Sequence, residues 1–136
     1  MPQLEGTRGL KEAKGEYDFA VDGGAIGSIT LRAAPDDALG NTIPAGSVIE
    51  GGYVEVDTIF GAGAGGTIAI GAEAAGDLVA AAIFSGVPWS TVGRKSVIPA
   101  FTGATTVKTT VERKLVATIA VAAVTAGKMR AVVFYR

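Results

Sequence analysis

The sequence predicts an all-β domain: an antiparallel β-sandwich of jelly-roll type, or a barrel, built from seven to eight short strands. Three observations carry this prediction. Apolar and polar residues alternate at period two in several separate runs, which is the strand period. Turn signals rich in glycine, proline, asparagine and aspartate separate those runs at short intervals. The chain has 136 residues, 49% of them apolar and 20 of them glycine, enough to bury one core but poor in sustained helical pattern.

Taken in order, residues 1–16 stand apart as an extended N-terminal arm ahead of a single β domain over 17–136. Glu5, Arg8, Lys11, Glu12, Lys14 and Glu16 cancel in charge, and Leu4 and Leu10 are the sizeable apolar groups. Such a segment buries too little to order alone, so it is either a frayed terminus or an arm that orders only on a neighbouring subunit. "YDFAVD" and "AIGSITLRA" flank Asp22-Gly23-Gly24 and read as a hairpin. "APDDALGNTIPAGS" reads as a loop, and "VIEGGYVEVDTIF" as the strongest strand, with Gly51-Gly52 marking a bulge or a close backbone approach. "TIAIG" is a short strand. "GDLVAAAIFSG" predicts one short helix at about 77–85, with Asp77 as its cap and Gly86 and Pro88 ending it. "RKSVIPAF" and "TTVKTTVERK" read as strands, and "KLVATIAVAAV", "TAGK" and "MRAVVFYR" as a terminal hairpin.

Several chemistries are excluded at once. The chain has neither cysteine nor histidine, so disulfides, thiolate nucleophiles, imidazole catalysis and His/Cys zinc sites do not arise. The formal net charge is −1 with no basic stripe, and Arg94-Lys95 is too small a patch for nucleic acid. The longest apolar run, from Leu115, is too short for a bilayer, and the N-terminus lacks the pattern of a signal peptide. No membrane, nucleic-acid or cofactor partner is expected.

"FGAGAGGT" contains the spacing G-x-G-x-x-G at Gly61, Gly63 and Gly66. A dinucleotide site needs those glycines to open a helix that receives the pyrophosphate. Here they lead into "TIAIG", a β-branched run, so the stretch is expected to be a loop between strands. Asp36-Asp37 reads as a turn-forming pair, and Glu55 with Asp57 as the solvated face of a strand. Trp89 is either a core anchor or an interface anchor.

Over Asn41–Tyr135 the order of features resembles small virion proteins of tailed bacteriophages. It comprises "PAGSVI", a strand ending "VDTIF", the glycine loop before "TIAIG", "GDLVAA", a "VK-T" strand and the closing "VTAGKMRAVVFYR". Several proteins of that setting are similar to head decoration proteins, also called cement or auxiliary capsid proteins. The resemblance implies a non-enzymatic trimer on the outside of a capsid, made in the host bacterial cytoplasm, with the major capsid protein and its own copies as partners. Leu4, Arg8, Leu10, Lys11, Lys14 and Trp89 are then the candidate contact residues. A receptor- or carbohydrate-binding fibre, tail or baseplate module is the alternative, with Trp89 and Tyr53 as its aromatic residues. An enzyme working through a carboxylate pair ranks behind both.

Overall fold

A computed structural model describes residues 11–33, 41–98 and 107–136. Among the described residues, ten strands form two four-stranded antiparallel sheets and one two-stranded ribbon. Strands β1 (Lys11–Asp18), β4 (Ile49–Ala62), β7 (Gly93–Ile98) and β10 (Val124–Tyr135) make the first sheet, in the order β1-β10-β4-β7. The second holds β2 (Gly27–Thr30), β5 (Thr67–Gly71), β6 (Val79–Ile83) and β9 (Val116–Ala120), in the order β2-β9-β5-β6. Strands β3 (Thr42–Ile43) and β8 (Arg113–Lys114) form the ribbon. The all-β expectation holds.

Period-two alternation decides what the sheets bury. Ala13 and Tyr17 of β1, Val54, Val56 and Phe60 of β4, and Met129, Ala131 and Val133 of β10 face inward from the first sheet. Ile68 and Ile70 of β5 and Ala117 and Ile119 of β9 meet them from the second. The Tyr17 ring stacks on Phe60 at 5.7 Å, and Phe60 tilts against Trp89 at 5.1 Å. This is a sandwich core closed by side chains of both inner faces.

The glycine pair in β4 is a close approach, as its sequence suggests. Gly52 has φ +152°, and a Cβ built on it would lie 2.2 Å from the Val132 carbonyl oxygen. The β4–β7 register slips between Gly52 and Val54, a bulge that only a residue without a side chain accommodates.

Five local expectations are corrected. The helix expected at 77–85 is strand β6, because its alanines pair with β5 (Ile68 with Ala82, Thr67 with Ile83) and ladder pairing overrides propensity. Asp77 caps a loop instead, its carboxylate accepting from the Ala72 and Ala74 N–H groups at 2.9 and 2.8 Å. Among the described residues the one helical turn is α1 (Phe19–Asp22), where the Asp18 side chain accepts from Ala20 N–H and Asp22 accepts from Asp18 N–H. That turn consumes the second half of "YDFAVD", so β1 and β2 enter different sheets and the expected hairpin does not form.

The terminal hairpin is likewise absent. Strands β9 and β10 cross between sheets at residues 121–123, and "TAGK" lies inside β10 as a bulged stretch around Gly127. Of the strand expected over "TTVKTTVERK", residues 105 and 106 lie outside the described residues, and the rest contributes a bridge between Lys108 and Val48 and the two residues of β8. Finally, residues 11–16 of the expected arm belong to β1, whose ladder with β10 runs from Lys11↔Tyr135 to Asp18↔Lys128.

Candidate functional site

The outer face of the first sheet carries the most organised polar surface of the described chain. Cross-strand register places Glu16 (β1) beside Arg130 (β10), Arg130 beside Glu55 (β4), and Glu55 beside Arg94 (β7). The Arg130 guanidinium donates to Glu16 Oε2 at 3.1 and 3.3 Å, and Arg94 stands 4.0 Å from Glu55. Charges of alternating sign thus run across all four strands, the favourable arrangement for directly opposed residues.

An apolar strip lies next to this row. Tyr53 and Phe134 approach with ring centroids 6.3 Å apart, the Arg94 guanidinium sits 4.0 Å above the Tyr53 ring, and Val132 is buried beneath them. Aromatic groups half in water beside arginine are a composition enriched in protein contacts.

A second charged cluster lies at the end of the sandwich where β5 runs out. Glu73 accepts from Arg113 Nε at 2.9 Å, from Thr110 Oγ1 at 2.7 Å and from Thr110 N–H at 3.1 Å. The Arg113 bond first, then those to Thr110, hold its carboxyl down to about 2. A hollow of about 140 Å³ beside it is lined by Ser28, Glu73, Val116 and Thr118. That is well below the roughly 300–1,000 Å³ of small-molecule sites. Among the described residues no group of three or more Asp or Glu side chains could hold a metal ion, and no helix is long and apolar enough to cross a membrane.

No family model matches the sequence, and no curated protein matches it. Solved structures do match the fold. A chain in the acidic stable capsid structure of Helicobacter pylori bacteriophage KHP30 aligns over 93% of this chain and 86% of that one, with a TM-score of 0.58 and 17% identity. A chain in the capsid asymmetric unit of cyanophage Pam1 aligns over 99% of this chain and 89% of that one, with a TM-score of 0.55 and 18% identity. The fold is one found in phage capsids.

For this capsid-type fold, the residues singled out in the sequence fall in unlike places. Leu4, Arg8 and Leu10 lie outside the described residues, as do Asp36 and Asp37. Lys11 is exposed at the start of β1, and Lys14 pairs with Glu12 at 3.6 Å on the same strand. Trp89 is fully buried and donates its indole N–H to the Ile68 carbonyl at 3.1 Å. It serves the core and has no surface to offer a partner, which corrects its place among the contact residues. Tyr53 sits on the outer face of the first sheet and Trp89 in the core, so the two do not line one aromatic pocket. Glu55 and Asp57 belong to the solvated strand face, with Glu55 held in the charge row. The glycine stretch leads from β4 to β5 and opens no helix.

Sequence reasoning missed Glu16, Arg130 and Arg94 as a group. A spacing of 36 residues or more carries no local signal, and register alone brings them together. Opposite charges at outward positions of separate strands were the visible trace.

Proposed function

We propose that this chain is a structural component of a tailed-phage head, a decoration protein that binds the outside of the capsid as a homotrimer. It stabilises the shell across the seams between major capsid protein subunits and has no catalytic role. The observation that carries this reading is the shared sandwich with capsid chains of nearly the same length, each aligned over most of both partners. The polar outer face of the first sheet and the resemblance over Asn41–Tyr135 support it.

The mechanism is mass action. A protein that binds only the assembled lattice lowers the free energy of the assembled state. Three linked copies convert modest single contacts into tight binding through effective concentration. The clasp is the N-terminal segment that runs into β1: Leu4 and Leu10 bury against the partner, and Arg8, Lys11 and Lys14 meet acidic surface. Strand β1 is an edge of its sheet, so strand addition is open to it away from the bridge between Glu16 and Arg32.

Co-sedimentation with capsids assembled without this protein tests the reading. Full-length chain is expected to pellet with capsids and to raise their melting temperature. A chain lacking residues 1–10, which leaves β1 whole, is expected to bind at least tenfold more weakly. Full-length chain that stays in the supernatant at every concentration would refute the proposal.

A further inference from the structure

The charge row on the outer face of the first sheet has a symmetry of its own. From β1 to β7 its signs run minus, plus, minus, plus, at Glu16, Arg130, Glu55 and Arg94. Reversing an alternating row of even length exchanges every sign. A second copy turned about a two-fold axis parallel to the strands, between β10 and β4, presents that reversed row. Glu16 then stands over the partner's Arg94 and Arg130 over the partner's Glu55, and both pairs recur on the other side of the axis. A two-fold axis along the row would instead set each charge over its own copy, which is unfavourable.

Shape obeys the same axis. The β10–β4 ladder places Val132 beside Tyr53 and Phe134 beside Gly51. In the two-fold arrangement Tyr53 meets the partner's Val132, which is sunk in its own sheet, and Phe134 meets the partner's Gly51. Each ring therefore faces a small residue. The row also has capacity left for a partner. The Arg94 side chain is 58% exposed, makes no hydrogen bond among the described residues and reaches Glu55 only at 4.0 Å. Glu55 likewise accepts no hydrogen bond there. Arginine and aromatic residues are the types enriched where proteins meet.

We infer that this face docks a second copy of the same chain, face to face about that two-fold axis. Charge complementarity selects the occupant, because every copy carries the row that matches its own when reversed. Strand β1 spans about 26 Å and the four strands about 19 Å, so two stacked faces bury on the order of 1,000 Å² in total, where specific interfaces begin. The contact goes beyond the trimer reading and is compatible with it, since trimers joined this way become hexamers.

Light scattering with gel filtration over a broad concentration series tests it. The samples are full-length wild type, Arg94→Glu, Glu16→Arg, a mixture of those two variants, and Arg94→Lys. The wild type is expected to be a dimer, or a hexamer where the trimer also forms. Arg94→Glu and Glu16→Arg each create two like-charge pairs, and each should fall to half that mass, dissociating at least tenfold more readily. Their mixture restores all four opposite pairs and should regain the wild-type mass, which loss of folding cannot mimic. Arg94→Lys keeps the sign and should associate as the wild type does. If Glu16→Arg does not fold by circular dichroism, Arg94→Glu against Arg94→Lys decides, and equal loss in both overturns the inference. A wild type monomeric throughout overturns both the inference and the trimer. A wild-type trimer overturns the inference alone and leaves the capsid reading standing. So does an Arg94→Glu chain that keeps the wild-type mass, or a folded mixture that stays dissociated.

Discussion

Arg130 donates to Glu16 at 3.1 Å across the β1–β10 ladder and, on its other side, stands in register with Glu55. Two residues 114 positions apart therefore open a charge row that crosses the whole first sheet. Both side chains remain partly in water, so the pair is worth about 0.5–1 kcal/mol rather than the value of a buried pair. A double-mutant cycle with Glu16→Gln and Arg130→Met, followed by urea unfolding, should return a coupling in that range that shrinks as salt rises.

The single tryptophan bridges the sheets. Trp89→Phe removes the donor to the Ile68 carbonyl and is expected to lower stability by about 1–2 kcal/mol. Trp89→Ala also empties the space beside Phe60 and should lower it by about 3–5 kcal/mol. Native fluorescence of the wild type should be blue-shifted, as expected for an enclosed indole, and should move red on unfolding.

Acid should act through Glu73. Its carboxyl sits at about 2 when folded against an ordinary value of 4.5, chiefly through Arg113. A depressed folded value contributes stability above the unfolded pKa, and that contribution disappears as pH falls through the folded one. The melting-temperature advantage of wild type over Glu73→Gln should thus be complete above pH 4.5 and gone near pH 2. A difference that stays constant with pH would rule out the linkage.

Alkali should act through Tyr17. Burial first, then the Asp22 and Asp18 carboxylates, push its hydroxyl up to about 12 from 10.0, and it donates to the Gly23 carbonyl. A raised value favours the protonated phenol in the fold. Its contribution is whole below pH 10 and is lost as pH rises through about 12. Titration followed by phenolate absorbance should show a step at about 12 or one that coincides with unfolding, and Tyr17→Phe should remove it.

Gly52→Ala should be among the most damaging small changes. The added methyl meets the Val132 carbonyl oxygen at 2.2 Å, and φ +152° suits glycine alone. Conformational strain and overpacking together suggest a loss of about 3 kcal/mol. Gly46→Ala, at φ +79° with open space around it, should lose about 1 kcal/mol by comparison. Chemical denaturation of both variants measures the difference.

The sequence alone determined which residues of its clearest strand share a face. Alternation in "YVEVDTIF" sets Val54 and Val56 together on the face that the core takes, and the glycine pair in β4 announced its close approach. These features are local, because strand period and steric room belong to the residues themselves. Tertiary structure decided which strands pair. "TAGK" resembles a turn yet is a bulge in β10, the alanines of β6 form a strand beside β5, and Lys11–Glu16 join a sheet through a strand at the far terminus. Non-local pairing sums many weak contacts between distant segments, and no window of the chain contains both partners. The charge row of Glu16, Arg130, Glu55 and Arg94 exists only once that pairing is made.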